Sequence, residues 1–200
     1  MIIPEGFTQI NLKFTGSGLP TGAEVTFAVI NPADQPPTTI AADVLAEWAA
    51  AGIMGNLSNG VSVTSVLAKN GPNETGPSAE IPASVPGTGG SGIATPNVTW
   101  LVKKATPLGG RRGSGRMYLP GVIEGAVDGA GQMDPGNVTA LQGDLDTFLT
   151  GLVTAGNPMY LLHAESDEDD PDPSPVPDPT IVSDLLVSST AATQRRRLRR

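Results

Sequence analysis

Residues 7–31, FTQINLKFTGSGLPTGAEVTFAVIN, decide the fold. Ile10, Leu12 and Phe14 fall on one side of an extended chain, and Asn11, Lys13 and Thr15 fall on the other. That two-residue period marks a half-buried strand. The stretch GSGLPTGA supplies turn residues, and EVTFAVIN resumes the alternation through Val25, Phe27 and Val29. Two alternating runs with an irregular turn between them read as an antiparallel pair.

The period then changes. In PADQPPTTIAADVLAEWAAAG, residues 32–52, Ile40, Val44 and Trp48 recur four apart, the spacing of one helix face. Thr38 or Thr39 is placed to cap this helix and Gly52 to close it. VSVTSVLAK, residues 61–69, returns to strand character. The next 28 residues, Asn70 to Asn97, hold four prolines before Pro96 and a GTGGSG tract, and read as one long loop. VTWLVKK follows as a strand, with Val98, Trp100 and Val102 sharing a face, and MYLPGVIEGAV as a short strand entering a turn.

The clearest helix is MDPGNVTALQGDLDTFLTGLVTAG, residues 133–156. Asp134 is its expected N-cap and Pro135 its first-turn residue. Val138, Leu141, Leu145, Phe148, Leu149 and Leu152 form the stripe to be buried, and Gly156 ends the helix. PMYLLHA and TIVSDLLVS read as further strands. This mixture predicts an α+β fold: an antiparallel β-sheet or sandwich with two flanking helices and long Pro/Gly-rich loops. The alternative is a jelly-roll-like β-sandwich with helical insertions. Residues 1–164 and 180–190 are expected to form a single domain, 165–179 an acidic, Pro-rich exposed loop, and 191–200 a basic C-terminal arm.

Composition limits the function classes. Of 200 residues 38% are apolar, enough for a core, but only 16% are charged, so Thr, Ser, Asn and Gly must cover much of the surface. The net charge of −8 is unevenly spread: seven acidic residues lie between Glu165 and Asp178, and five of the eight arginines lie at 195–200. An acidic chain with a basic end points to local affinity for anions. With no cysteine, disulfides, thiolate catalysis and zinc ribbons are excluded. The N-terminus has no basic segment followed by an apolar run of signal length, and no stretch approaches the ~18 apolar residues of a membrane span. No membrane partner is expected.

No catalytic set emerges, and the chain is read as a non-enzyme with neither cofactor nor metal. His163 is the only histidine and sits in the apolar run YLLHA, with no GxSxG turn to supply a nucleophile. A structural histidine is the simpler reading. A hydrolase would need His163, or a carboxylate pair such as Glu124 and Asp128 in a cleft. Four N-x-[ST] matches, at Asn56, Asn73, Asn97 and Asn137, are what a Thr- and Ser-rich chain yields by chance. The acidic run does not match a calcium loop, and its prolines resist wrapping an ion.

The chemically suggestive stretch is GGRRGSGRMYLPG, residues 109–121. Glycines that free backbone amides, beside arginines, make an anion cradle in principle. Dinucleotide and P-loop fingerprints require a following helix, however, and here a strand follows, with no GK[ST]. Arg111, Arg112, Arg116 and Tyr118 therefore read as contact residues toward another chain, since Arg and Tyr are enriched at interfaces. Arg195, Arg196, Arg197, Arg199 and Arg200 suit a neighbouring subunit's acidic surface or the phosphates of DNA, or else form a disordered solubilising tail.

The segment TPNVTWLVKKATPLGGRRGSGRMYLPG (95–121) and the ending VSSTAATQRRRLRR (187–200), with the opening stretch, resemble small structural proteins of tailed bacteriophages, especially those of GC-rich actinobacterial hosts. The resemblance implies a virion protein (capsid, head–tail connector or tail component) that self-assembles with copies of itself and other virion proteins. Packaged DNA is then a candidate partner for the terminal arginines. A different class, an anion-binding module for nucleic acid or a surface glycan, stands as the alternative.

Overall fold

The computed structural model describes residues 6–16, 18–31, 33–90, 95–104, 114–122, 135–160 and 181–184. The fold is α+β. Strands β1 (Phe7–Gly16) and β2 (Glu24–Ile30) form the expected antiparallel pair, with Ile10 opposite Phe27 and Leu12 opposite Val25. Helix α1 (Pro37–Ala50) and a one-turn 3-10 helix (Ile53–Asn56) then carry the chain to β3 (Val61–Asn70). Strand β3 pairs antiparallel with the other side of β1. Strands β2 and β3 therefore run in the same direction with β1 between them, and α1 is the crossover that such an arrangement requires.

Strand β4 (Ser78–Pro86) pairs antiparallel with β3, and the two-residue β7 (Met159–Tyr160) with β2. The first sheet thus has the order β4-β3-β1-β2-β7. A second, three-stranded sheet has the order β6-β5-β8, built from β5 (Thr95–Lys104), β6 (Ser114–Val122) and β8 (Ile181–Asp184). Every pairing in both sheets is antiparallel.

The strip of 28 residues read as one long loop is corrected by this arrangement, because it contains all of β4 and the start of β5. Its prolines concealed an alternating pattern. Ala79, Ile81, Ala83 and Val85 turn half-buried toward the core, whereas Ser78, Glu80, Pro82, Ser84 and Pro86 face solvent. Among the described residues β4 is the edge of its sheet, and an edge strand tolerates missing N–H groups that a central strand would not.

Helix α1 packs on β3 and β4, and α2 (Pro135–Thr154) meets α1, the 3-10 turn and β7. Between helices and sheet lies the core the periodicities announced: Ile10, Leu12, Val25, Val29, Ile40, Val44, Val61, Val63, Val66, Leu141, Leu145 and Leu152 are all buried. Four rings run through it in edge-to-face contact. Phe14 meets Trp48 at 6.0 Å, Trp48 meets Phe148 at 5.1 Å, and Phe148 meets Phe27 at 5.8 Å. The series leads from β1 through α1 and α2 back to β2, and so clamps both helices to the sheet.

Helix boundaries show where local reading succeeded. Gly52 and Gly156 adopt φ of +83° and +85°, the left-handed conformation that ends a helix. At Gly156 two bonds close the end: Asn157 N donates to Leu152 O and Gly156 N to Val153 O. The α1 N-terminus is a correction. Pro36, not Thr38 or Thr39, is the N-cap, with no side-chain cap; Pro37 begins the helix, where its missing N–H costs nothing. Asp134 and Val138 lie outside the residues whose contacts are described, as do the segments 165–179 and 191–200.

Candidate subunit interface

Of the residues expected to make intermolecular contacts, two lie on a described strand. Arg116 and Tyr118 are on β6, in register with Leu101 and Thr99 of β5. Arg111 and Arg112 fall in the connection between β5 and β6, outside the described residues, as do Arg195, Arg196, Arg197, Arg199 and Arg200. His163, Glu124 and Asp128 also lie outside. Strands β5 and β6 pair from Thr95–Val122 through Lys103–Ser114, so the arginine-bearing connection joins the two arms of an antiparallel hairpin. Strands of this length extend about 30 Å at about 3.4 Å per residue.

The hairpin is tied to the rest of the chain on two sides. Strand β8 pairs with the other edge of β5, placing Asp184 opposite the same Leu101 that faces Arg116. Arg116, Leu101 and Asp184 thus form one row across the second sheet, with opposite charges at its two ends. Strand β6, at the edge of this sheet among the described residues, passes close to β2 of the first.

A second polar grouping was not anticipated from the sequence. At one end of the first sheet the segments NPADQPP (31–37) and NGPNETGP (70–77) come together around Asn70. The buried Asn70 accepts a hydrogen bond from Thr8 Oγ1 at 2.6 Å and donates to Gln35 O and Thr75 O. Asn31 Oδ1 accepts from Gln35 N, and Asn31 Nδ2 donates to Gln35 O and Glu74 Oε2. Glu74 Oε1 also accepts from Gly6 N. Asp34 accepts from both the backbone and the hydroxyl of Thr75, which holds its carboxyl below the usual range. The only two non-glycine residues with positive φ among those described, Asp34 and Asn73, are both here. The common signal is two Asn-led, Pro-rich segments directly after strand ends, where Asn and Asp tolerate left-handed backbone. Nearly all these polar atoms satisfy one another, so the grouping locks loops together.

The outer face of the first sheet is polar and cross-linked. Lys13 Nζ reaches Glu80 Oε1 at 2.8 Å, and Ser65 donates to the same oxygen. Lys13 and Ser65 together lower the Glu80 carboxyl. Asn11 donates to Thr26 and accepts from Gln9, which explains how a polar residue on this face can be buried. On the helical side, Asn56 Nδ2 donates to Asp144 Oδ2 at 2.8 Å, yet burial dominates and pushes the Asp144 carboxyl up. Among the described residues no group of three His, Asp or Glu side chains gathers to hold a metal ion, and no helix is long and apolar enough to cross a membrane.

These features define an antiparallel α+β protein with an arginine-bearing hairpin on a second, smaller sheet. No protein-family model matches the chain, and no curated protein or solved structure matches it.

Proposed function

We propose that this chain is a structural subunit of a tailed-phage particle, working through contacts with copies of itself and with other virion proteins. The observation that carries the reading is the position of Arg111 and Arg112 in the connection of the β5–β6 hairpin, with Arg116 and Tyr118 on its second arm. The connection joins the ends of two paired strands, and Arg supplies a planar fork for carboxylates and backbone carbonyls of a neighbour. The resemblance of residues 95–121 to phage structural proteins covers this same hairpin. On this reading the chain is not an enzyme, its place is the virion, and the C-terminal arginines meet an adjacent subunit or packaged DNA.

Triple substitution of Arg111, Arg112 and Arg116 by Ala tests the proposal. The variant should keep the circular dichroism and thermal midpoint of the parent while losing most of its self-association in sedimentation. Undiminished association, or an unfolded variant rescued by no single reversion, would count against the hairpin as the contact. Loss of retention on DNA or heparin with self-association unchanged would favour the anion-binding class instead.

A further inference from the structure

The chain contains two Asn-Gly pairs, Asn59-Gly60 and Asn70-Gly71, and the fold treats them very differently. Asn59 and Gly60 are exposed, in the tight turn that leads into β3. Val61 N donates to Ser58 O at 2.9 Å across this turn, and Gly60 N donates a long hydrogen bond to Ser58 Oγ at 3.3 Å. The Asn59 backbone N–H bonds to Gly90 O, while its side-chain amide is open to water. Asn70 is buried, with its amide held by Thr8, Gln35 and Thr75, and Gly71 N is engaged by Phe7 O at 2.9 Å.

We propose that Asn59 is a site of spontaneous covalent modification, converting to isoaspartate and aspartate through a cyclic imide with Gly60, and that the fold protects Asn70 from the same reaction. Water or hydroxide removes the Gly60 amide proton, and the nitrogen attacks Asn59 Cγ. The new C–N bond closes a five-membered ring, the Cγ–Nδ2 bond breaks, and nitrogen leaves as ammonia with the proton it gains from solvent. Water then opens the ring at either carbonyl. Hydrolysis of the bond from Gly60 N to the Asn59 backbone carbonyl leaves the chain linked through Cγ and gives isoaspartate, whereas hydrolysis of the bond to Cγ gives aspartate. The balance is one water consumed and one ammonia released, with no oxidant or reductant.

Glycine favours the attack because no Cβ shields its nitrogen, and asparagine is among the thermally labile residues. At Asn70 the attack would require breaking three side-chain hydrogen bonds and freeing a bonded amide in the interior. At Asn59 it requires release of one long hydrogen bond, from Gly60 N to Ser58 Oγ, and local motion of an exposed turn. Isoaspartate adds a methylene to the backbone between the buried Leu57 and Val61, and either product adds a negative charge at the entrance to β3.

The folded full-length chain, incubated in mildly alkaline buffer and digested for peptide mass spectrometry with isoaspartate detection, provides the test. The expected result is amide loss with isoaspartate at Asn59 and an intact Asn70, both sites reacting once the chain is held in denaturant. Gly60→Ala should suppress the reaction at Asn59; a Cβ there would meet Ser58 Oγ at an ordinary 3.7 Å, so the fold accommodates it. Asn59→Ser, which lacks the amide, gives a second non-reacting variant. Conversion of folded Asn70 as fast as Asn59, or retention of the Asn59 amide in the folded chain while the denatured chain loses it, overturns the proposal.

Discussion

Trp48 sits where both helices and the sheet meet, fully buried and in edge-to-face contact with Phe14 and Phe148. Trp48→Ala should lower unfolding free energy by about 3–5 kcal/mol, since a cavity of that size cannot close. Combined with Phe148→Ala, it should show a coupling of about 0.5–1.5 kcal/mol in urea titrations followed by circular dichroism. Additive effects would mean the rings act only as bulk. Asp144 gives a prediction of sign. Burial raises its folded carboxyl, so the charged form is disfavoured in the folded state. That cost is absent below the ordinary aspartate range, grows as pH rises through the folded value, and is complete at neutral pH. Asp144→Asn keeps an oxygen for Asn56, and so should raise the urea midpoint at neutral pH by an amount that shrinks on acidification. A less stable variant at neutral pH would show that the carboxylate is not the burdened form.

At the scale of elements, β4 is the instructive strand. Its hydrogen bonding toward β3 is framed by Asn70 N to Pro77 O and Gly87 N to Val61 O, and no strand lies beyond it among the described residues. Pro82 and Pro86 withhold two donors from this strand, a recognised guard against strand addition. Replacing both by Thr should restore edge donors worth about 0.5–1.5 kcal/mol each and open the edge to a second chain. Light scattering should then report association that persists when Arg111, Arg112 and Arg116 are also replaced; unchanged scattering would mean that the prolines guard nothing. The strand went unread because proline and glycine punctuate a sequence so strongly that the alternation of Ala79, Ile81, Ala83 and Val85 is masked. Where pattern and punctuation agree, as in β1, β2, α1 and the Leu141–Leu152 stripe, sequence and structure coincide. The Asn70 junction was invisible for another reason: its partners, Thr8, Gln35 and Thr75, come from three separate segments, and only folding brings them together.

For the whole molecule, one layer of helices on a five-stranded sheet buries the larger apolar side chains, and a second sheet carries the arginine-bearing hairpin. The first layer stabilises the chain, and in our proposal the second connects it to its neighbours. The same proposal fits a chain of which only 16% is charged, because subunits that pack against copies of themselves lose less desolvation energy when few charges must be buried. The most direct measurement is electron microscopy, with cross-linking mass spectrometry, of the purified full-length chain at increasing concentration. The account predicts closed, symmetric assemblies in which Lys103 and Lys104, at the end of β5 beside the arginine-bearing connection, cross-link to a second copy. A chain that stays monomeric at every concentration, with cross-links only within itself, would contradict it.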